Sequence, residues 1–249
     1  NTDGIYLYSC SNQNIYHNSI NMTGGATTSS CFYLYAGTGN VNIQNNIFSN
    51  PGGGYASYIY SPGSVSLVDY NDLFSTGNYI AGWGTFAQID LPALRAASTK
   101  ETNSLSYNPN YTSATDLHTN SPWIDGKATV VSEVSDDIDG QVRNGSTPDI
   151  GADEYTSSVG PPLAGTYTIG TVGATYTSFS SAVADLLLRG VSAPVTLNVL
   201  SGTYTDHVVM TSVPGASATN TITFQAQTGN SANVTLAVAA AAPESNYVV

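Results

Sequence analysis

Short runs in which apolar residues alternate with tyrosines or other polar residues recur along the first third of the chain. The aligned runs are residues 5–8 (IYLY), 32–35 (FYLY) and 58–60 (YIY). Tyr8 and Tyr35 are 27 residues apart, and Tyr35 and Tyr60 are 25 apart. A repeat in the twenties that contains only short strands predicts one solenoid coil per repeat. The Leu-x-x-Leu-x-Leu framework of leucine-rich repeats is absent, so we predict an all-β fold of stacked parallel strands.

An asparagine follows each of these runs at similar spacing, at Asn18, Asn45 and Asn71. Asparagine suits the corner of a coil because it tolerates left-handed backbone geometry and its side-chain amide can bond along the stack. After the coils, residues 90–98 (DLPALRAAS) predict a short helix with Asp90 as its cap.

The rest of the chain contains further ordered motifs. They are residues 121–126 (SPWIDG), 137–140 (DIDG), Arg143 and residues 148–155 (PDIGADEY). Residues 156–165 (TSSVGPPLAG) have the composition of a linker. Beyond it, Ser178 is predicted to cap a helix over residues 179–189 that stops at Gly190. Strand-like runs follow at residues 195–199, 207–210, 221–224 and 234–236. An amphipathic helix ahead of apolar strands predicts a lid over the first coil of a second solenoid.

Together, the coils and these motifs resemble the right-handed parallel β-helix proteins of the pectin-lyase-like class. More specifically, they are similar to the β-helix repeat proteins exported by Bacteroidetes-type bacteria. The likeness covers roughly residues 1–155 and implies that the block over residues 121–155 closes the C-terminal end of a β-helix. Residues 166–249 resemble the capped start of a second one. We therefore expect one period of a tandem array, cut in mid-coil and belonging to a natural chain much longer than 249 residues.

Composition and charge exclude several classes of partner. Only 9% of residues are charged, and the formal net charge is −12, so binding to a nucleic-acid backbone is not expected. The longest purely apolar run, residues 236–242, is too short to insert into a membrane. Low lysine content with many threonines, asparagines and tyrosines favours an extracellular location. Cys10 and Cys31 match no zinc pattern and fall at opposite ends of neighbouring strands, so we expect free, largely buried thiols.

The tyrosines of the repeats are the main candidate binding residues. If Ile5, Leu7 and their equivalents point inward, strand alternation turns the tyrosines outward. They form two tracks, Tyr6/Tyr33/Tyr58 and Tyr8/Tyr35/Tyr60. Such a strip could stack on sugar rings or on another protein, or its tyrosines could stack on each other and brace the sheet. The sequence leaves these two interpretations open.

Catalytic chemistry finds little support in the sequence. Residues 1–5 (NTDGI), which include Asp3, match a motif of polygalacturonases. The other motifs of that family, Asp-Asp, Gly-His-Gly and Arg-Ile-Lys, are missing. Asp69 and Asp72 lie in no recognisable motif, so the converging carboxylates that glycoside hydrolysis needs are not evident. Residues 1–94 contain no lysine or arginine to serve as the base of a lyase. His17 is the single histidine among the coils, and we expect it to be an exposed polar residue. We predict no catalytic residues and no cofactor apart from a possible calcium site.

Asp137 and Asp139 form that candidate, because their spacing resembles part of a calcium loop, and Asp136, Asp149 and Glu154 could lie near. The preferred interpretation is that Asp139 or Asp149 pairs with Arg143 and caps turns.

From the resemblance we expect a structural and adhesive segment of a long secreted cell-surface or extracellular fibre, with a role in attachment or gliding motility. Its expected partners are a polysaccharide or surface and the neighbouring repeats of the same protein. A polysaccharide-active lyase or glycosidase, or a glycan-binding module, is the alternative.

Overall fold

The computed structural model of the protein describes residues 2–237, and the chain divides into two compact units, Asn1–Ser158 and Val159–Val249. The boundary falls within the predicted linker, residues 156–165. Both units stack parallel strands, and together they make about 8 solenoid turns with few helices. The prediction of a mostly β solenoid is therefore confirmed. Residues 238–249 of the predicted second domain lie outside the described residues.

The first unit is built from three sheets. The first sheet contains, in spatial order, β1 (Asp3–Ser11), β4 (Ser30–Gly39), β7 (Tyr55–Ile59), β10 (Ala81–Trp83) and β11 (Phe86–Gln88). The second contains β2 (Asn14–Tyr16), β5 (Val41–Gln44) and β8 (Val65–Asp69), and the third β3 (Ser19–Asn21), β6 (Ile47–Asn50) and β9 (Asp72–Ser75). A single-turn 3₁₀ helix, Pro62–Ser64, precedes β8. Strands pair in parallel except β10 with β11, where the chain turns back.

Residues one coil apart lie above one another, as the repeat spacing predicts. Leu7 is in register with Leu34, and Leu34 is in register with Ile59. Leu34 is fully buried, whereas Leu7 in β1, the edge strand of this sheet, is only partly buried. Each coil thus relies on its neighbours for burial, as in other solenoids.

At the corner between the second and third sheets, one residue of each coil turns the chain and the next one bonds along the stack. His17, Asn45 and Tyr70 have positive φ (51°, 60° and 58°) and make the turn. The ladder of side-chain amides is formed by the residues that follow them, Asn18, Asn46 and Asn71. The prediction that Asn18, Asn45 and Asn71 occupy equivalent positions was therefore wrong for the middle coil, where Asn45 turns the chain and Asn46 bonds along the stack.

The predicted helix after the coils is α1 (Leu91–Ser98), in which the Asp90 carboxylate accepts a hydrogen bond of 2.8 Å from the Ala93 amide. Leu91 and Leu94 are buried in the same core as the coils. The helix therefore covers apolar side chains next to β10, at the far end of the sheet from β1.

Residues 99–158 form an irregular segment along the side of the coils. The Gly151 amide donates to the Asn45 carbonyl at 2.8 Å, and the Ala152 amide donates to Ser19 Oγ at 2.9 Å. Ile124 and Ile150 pack with Ile47 in a second apolar cluster. The resemblance implied that residues 121–155 close the C-terminal end of the coils, but these contacts place the block against the third sheet, as far back as the first coil.

The second unit begins with β12 (Leu163–Ile169) and α2 (Phe179–Arg189). Its strands β13 (Val191–Val199), β14 (Gly202–Tyr204), β15 (Ile222–Ala226) and β16 (Val234–Leu236) form two parallel sheets, β12-β13-β15 and β14-β16, and a single-turn 3₁₀ helix, Ser231–Asn233, precedes β16. The helix has the predicted bounds, with a capping box at Ser178 and Gly190 at its end. Val183 and Leu186 of α2 are buried.

One predicted strand of the second unit does not form. Residues 207–210 are irregular, and Val209 and Met210 are exposed. The strand occurs earlier, at β14, where Tyr204 is buried and its hydroxyl donates to the Leu200 carbonyl at 2.8 Å. Among the described residues, no helix has the length and apolarity needed to cross a membrane.

Candidate functional site

The six tyrosines singled out by the repeats form one continuous array on the outer face of the first sheet. We call Tyr6, Tyr8, Tyr33, Tyr35, Tyr58 and Tyr60 the tyrosine array. In one track the ring centroids are 5.6 Å apart from Tyr6 to Tyr33 and 5.1 Å from Tyr33 to Tyr58. In the other they are 5.6 Å apart from Tyr8 to Tyr35 and 5.3 Å from Tyr35 to Tyr60. The tracks also touch each other, with Tyr33 and Tyr35 at 6.3 Å.

A bulge lies within the array. Tyr6 pairs in register with Tyr33, but the backbone of Tyr8 pairs with Ala36 and not with Tyr35. The register shifts after Leu7, and Ser9 has a positive φ of 52°. The rings of Tyr8 and Tyr35 nevertheless stack with an interplanar angle of 23°. The predicted side-chain track is therefore present although the predicted backbone register ends at Leu7, since a bulge re-aims side chains locally.

The stacking determines which part of each ring is open to a partner. Adjacent rings face each other along each track, at interplanar angles of 16° for Tyr33 with Tyr58 and 12° for Tyr35 with Tyr60. Tyr8 is 61% exposed and Tyr35 is 42% exposed. The inner rings therefore offer their edges and hydroxyls, and a sugar cannot stack on their faces. The ring faces therefore brace one another, as one of the two interpretations predicted, and the hydroxyl-bearing edges are the part that a partner could reach.

The hydroxyls give the tyrosine array a polar edge, and the packed rings give it an apolar body. Burial, followed by the neighbouring phenols of Tyr58 and Tyr6, raises the pKa of Tyr33, so its hydroxyl stays protonated at neutral pH. The array ends at Gly82, which is in register with Tyr58. A Cβ at Gly82 would lie 2.4 Å from ring atoms of Tyr58, so the ring rests on the bare backbone.

Two further tyrosines that the repeat pattern did not single out extend the aromatic surface. Tyr55 meets the ring of Tyr58 edge-on, with centroids 5.0 Å apart, and Tyr79 is nearly parallel to Tyr55 at 6.3 Å. Tyr55 precedes the aligned run at residues 58–60, and Tyr79 lies in the next coil, which has no such run, so the spacing of the runs gave no signal for them. They border a cavity that lies beside the array.

The two acidic residues proposed for calcium do not share one centre. Asp137 accepts hydrogen bonds from the amides of Gln141 (2.7 Å), Asp139 (2.9 Å) and Glu154 (3.0 Å). Burial opposes ionisation of Asp137, but these hydrogen bonds and the charge of Arg143 together lower its pKa. This carboxylate acts as a turn cap.

Arg143 has a different partner from the one we expected. It contacts Glu154, with Nη1 and Oε2 3.3 Å apart, and donates from Nη2 to the carbonyls of Gly151 and Ala152. Asp149 instead accepts from the amides of Gly126 and Tyr155, and burial raises its pKa to about 7. The expected pairing of Arg143 with Asp139 or Asp149 was wrong, because the chain folds back to bring Glu154 beside the guanidinium.

Asp139 belongs to another cluster that the sequence did not reveal. Ligand atoms of His118, Asp139 and Asp153 lie within 4.8 Å of one another and could hold a metal ion. His118 lies between two carboxylates: its Nδ1 is 2.5 Å from Asp116 Oδ1, and its Nε2 is 2.8 Å from Asp139 Oδ2. These hydrogen bonds raise the pKa of His118 to about 9. A metal ion would therefore have to displace a proton from His118 at neutral pH.

The residues examined for catalysis have structural environments. His17 is buried, contrary to the expectation of an exposed residue; burial and then the charge of Arg143 lower its pKa to about 4. It contacts the Gly151 carbonyl at 3.2 Å and Asn45 Nδ2 at 2.8 Å, so it ties residues 99–158 to the coils. Asp3 is the first residue of β1 and not a turn residue. Asp69 accepts from the amide and side chain of Asn103.

The two cysteines are free, and Cys31 is buried. Cys10, near the end of β1, is in register with Gly37 of β4. Cys31 lies at the start of β4, directly after Ser30, which is in register with Asp3 of β1. The residues therefore lie towards opposite ends of β1 and β4, as predicted.

No protein-family model matches the chain, and comparisons with curated proteins and with solved structures found no match.

Proposed function

We propose that this chain is a non-enzymatic structural and adhesive segment of a secreted cell-surface or extracellular fibre, of the right-handed parallel β-helix class. The observation that carries the proposal is the tyrosine array, whose six rings form a regular strip along three successive coils. Its free hydroxyls repeat with the coils, so they can bind a repeating partner such as a polysaccharide at several points.

The charge distribution supports a neutral or weakly charged partner. Residues 1–94 contain no lysine or arginine, and the chain has a formal net charge of −12. A strongly acidic surface would therefore be repelled, whereas neutral hydroxyl-rich polymers would not. The same lack of a cationic base argues against lyase chemistry on these coils. Neighbouring repeats of the same protein are the proposed partners for the partly buried first coil. Within residues 2–237, the strand that carries Ile5 and Leu7 has a neighbour on one side only.

Phenylalanine substitutions test the edge-binding mechanism because they remove hydroxyls and keep the rings. The variant Tyr8→Phe/Tyr35→Phe/Tyr60→Phe is expected to lose retention on insoluble polysaccharides such as cellulose, while its unfolding stays cooperative. Tyr33→Ser/Tyr35→Ser, which also breaks the stack, should lose it further. Tyr70→Phe lies outside the array and serves as the control.

The proposal would be contradicted if the array variants were retained on the polysaccharide as strongly as the unsubstituted protein and Tyr70→Phe. The non-enzymatic part has its own test, incubation with pectate and alginate. We expect no ultraviolet-absorbing unsaturated product, and its appearance would support the alternative of a lyase.

A further inference from the structure

Beside the array lies a cavity of about 490 Å³, built by the corner loops of three successive coils. Its principal lining residues are Tyr55, Tyr79, Thr27, Thr28, Thr76 and Asn78. The volume falls within the ~300–1,000 Å³ typical of small-molecule sites. We propose that this cavity binds a neutral oligosaccharide.

The loops are held in place by close backbone contacts. A Cβ at Gly77 would lie 2.1 Å from the Gly53 carbonyl oxygen, and one at Gly52 would lie 1.9 Å from that of Gly24. Only glycine permits this approach, so successive corners stack without side chains between them. The cavity walls are therefore positioned by the solenoid itself.

One wall comes from the longest of these corners. Residues 22–29 connect β3 to β4, whereas residues 51–54 make the equivalent connection from β6 to β7. The extra residues carry Thr27 and Thr28. The loop is fixed by a hydrogen bond of 2.7 Å from Ser29 Oγ to the Ala26 carbonyl and one of 3.1 Å from Asn50 Nδ2 to Ser29 Oγ. The threonines are thus presented on an ordered turn.

The lining selects the class of ligand. Two tyrosine rings supply apolar surface, while threonine hydroxyls and the Asn78 amide supply uncharged hydrogen-bonding groups. Among the described residues, no charged side chain lines the cavity. Tyr55 and Tyr79 have centroids 6.3 Å apart, which leaves no room for a planar aromatic ligand between them, since each contact needs about 3.5 Å. A sugar ring can instead place its C–H face on the exposed part of Tyr79 and its hydroxyls on Thr28 and Asn78.

The inference stands apart from the attachment proposal because Tyr79 does not belong to the tyrosine array. The test is titration of the whole chain with cellohexaose, xylohexaose, mannohexaose and trigalacturonate, followed by saturation-transfer NMR. At least one neutral hexasaccharide is expected to bind, and Tyr79→Ala to weaken its binding by about tenfold or more. Phe86→Ala is the control, since Phe86 is an exposed aromatic residue outside both the cavity and the tyrosine array. Tyr60→Ala, at a ring of the array that is as exposed as Tyr79 (43% each), distinguishes binding at the array from binding in the cavity.

Asn78→Ala provides a second variant, on an exposed side chain, in case Tyr79→Ala disturbs folding. It is expected to weaken binding as well. The inference is overturned if no neutral hexasaccharide binds at millimolar concentration, or if trigalacturonate binds better than all of them. It is also overturned if Tyr60→Ala weakens binding as much as Tyr79→Ala; a loss confined to Tyr60→Ala would assign the sugar to the tyrosine array instead.

Discussion

The asparagine ladder offers the sharpest test of how the coils are held together. Asn46 is fully buried, and its Oδ1 accepts from the backbone amide and the side chain of Asn18, at 3.0 and 2.8 Å. Its Nδ2 donates to the carbonyls of Ile15 and Gln44 and to Asn71 Oδ1, all at 2.9 Å. Replacing Asn46 with alanine removes these links between three successive coils.

The expected cost follows from the number of bonds. Two bonds are accepted by Asn46, and the two hydrogens of its amide serve three acceptors, so about four full hydrogen bonds are lost. At about 1 kcal/mol each, Asn46→Ala should lower the free energy of unfolding by about 4 kcal/mol. The partly buried polar groups of Asn18 and Ile15 that lose their partner would add to this cost. With a urea dependence of about 2 kcal/mol per molar, the midpoint should fall by about 2 M.

Urea unfolding followed by tryptophan fluorescence measures this effect in the first unit alone, because both tryptophans, Trp83 and Trp123, lie there. Asn42→Ala is the matched control: Asn42 makes one exposed side-chain hydrogen bond, to Asn14 at 2.9 Å. Its substitution should cost at most about 0.5 kcal/mol. If the midpoint of Asn46→Ala fell no further than that of Asn42→Ala, the ladder would not be a source of stability and our reasoning would be refuted.

Two further predictions concern buried groups of the first unit. Burial raises the pKa of Asp72 from 3.8 to about 7, so the folded state keeps a proton that the unfolded state releases, and this residue makes stability fall as pH rises from about 4 to about 7. Asp72→Asn should flatten part of that decline in urea midpoints measured between pH 5 and pH 8, and an unchanged slope would contradict the assignment. Gly82→Ala should cost about 1–3 kcal/mol because its Cβ would collide with the ring of Tyr58. Gly63→Ala, whose Cβ would meet nothing within 4 Å, should change stability by less than about 0.5 kcal/mol; equal melting temperatures for the two variants would count against the contact.

Among the site residues, the tyrosine array could be predicted and its neighbours could not. Strand alternation and repeat spacing were enough to place Tyr6 above Tyr33 and to turn both outward. The ring faces could not be assigned, because a 27-residue spacing is compatible with rings that face solvent or face each other. Tyr79 and the His118 cluster escaped notice since they depend on corner loops and on residues brought together from distant positions.

The sequence alone determined the local and repeating features of this protein. Alternating side chains and a repeat of 25 to 27 residues placed Leu7, Leu34 and Ile59 in one stack, because parallel strands bury like residues on like. The capping residues of α2 set its bounds, since a helix end is decided within a few residues. Only the tertiary structure decided which of the adjacent Asn45 and Asn46 turns the chain and which bonds along the stack. It also decided that residues 99–158 lie along the third sheet, because that arrangement rests on hydrogen bonds between residues more than a hundred positions apart, such as the one between Ser19 and Ala152, for which a single sequence carries no local signal.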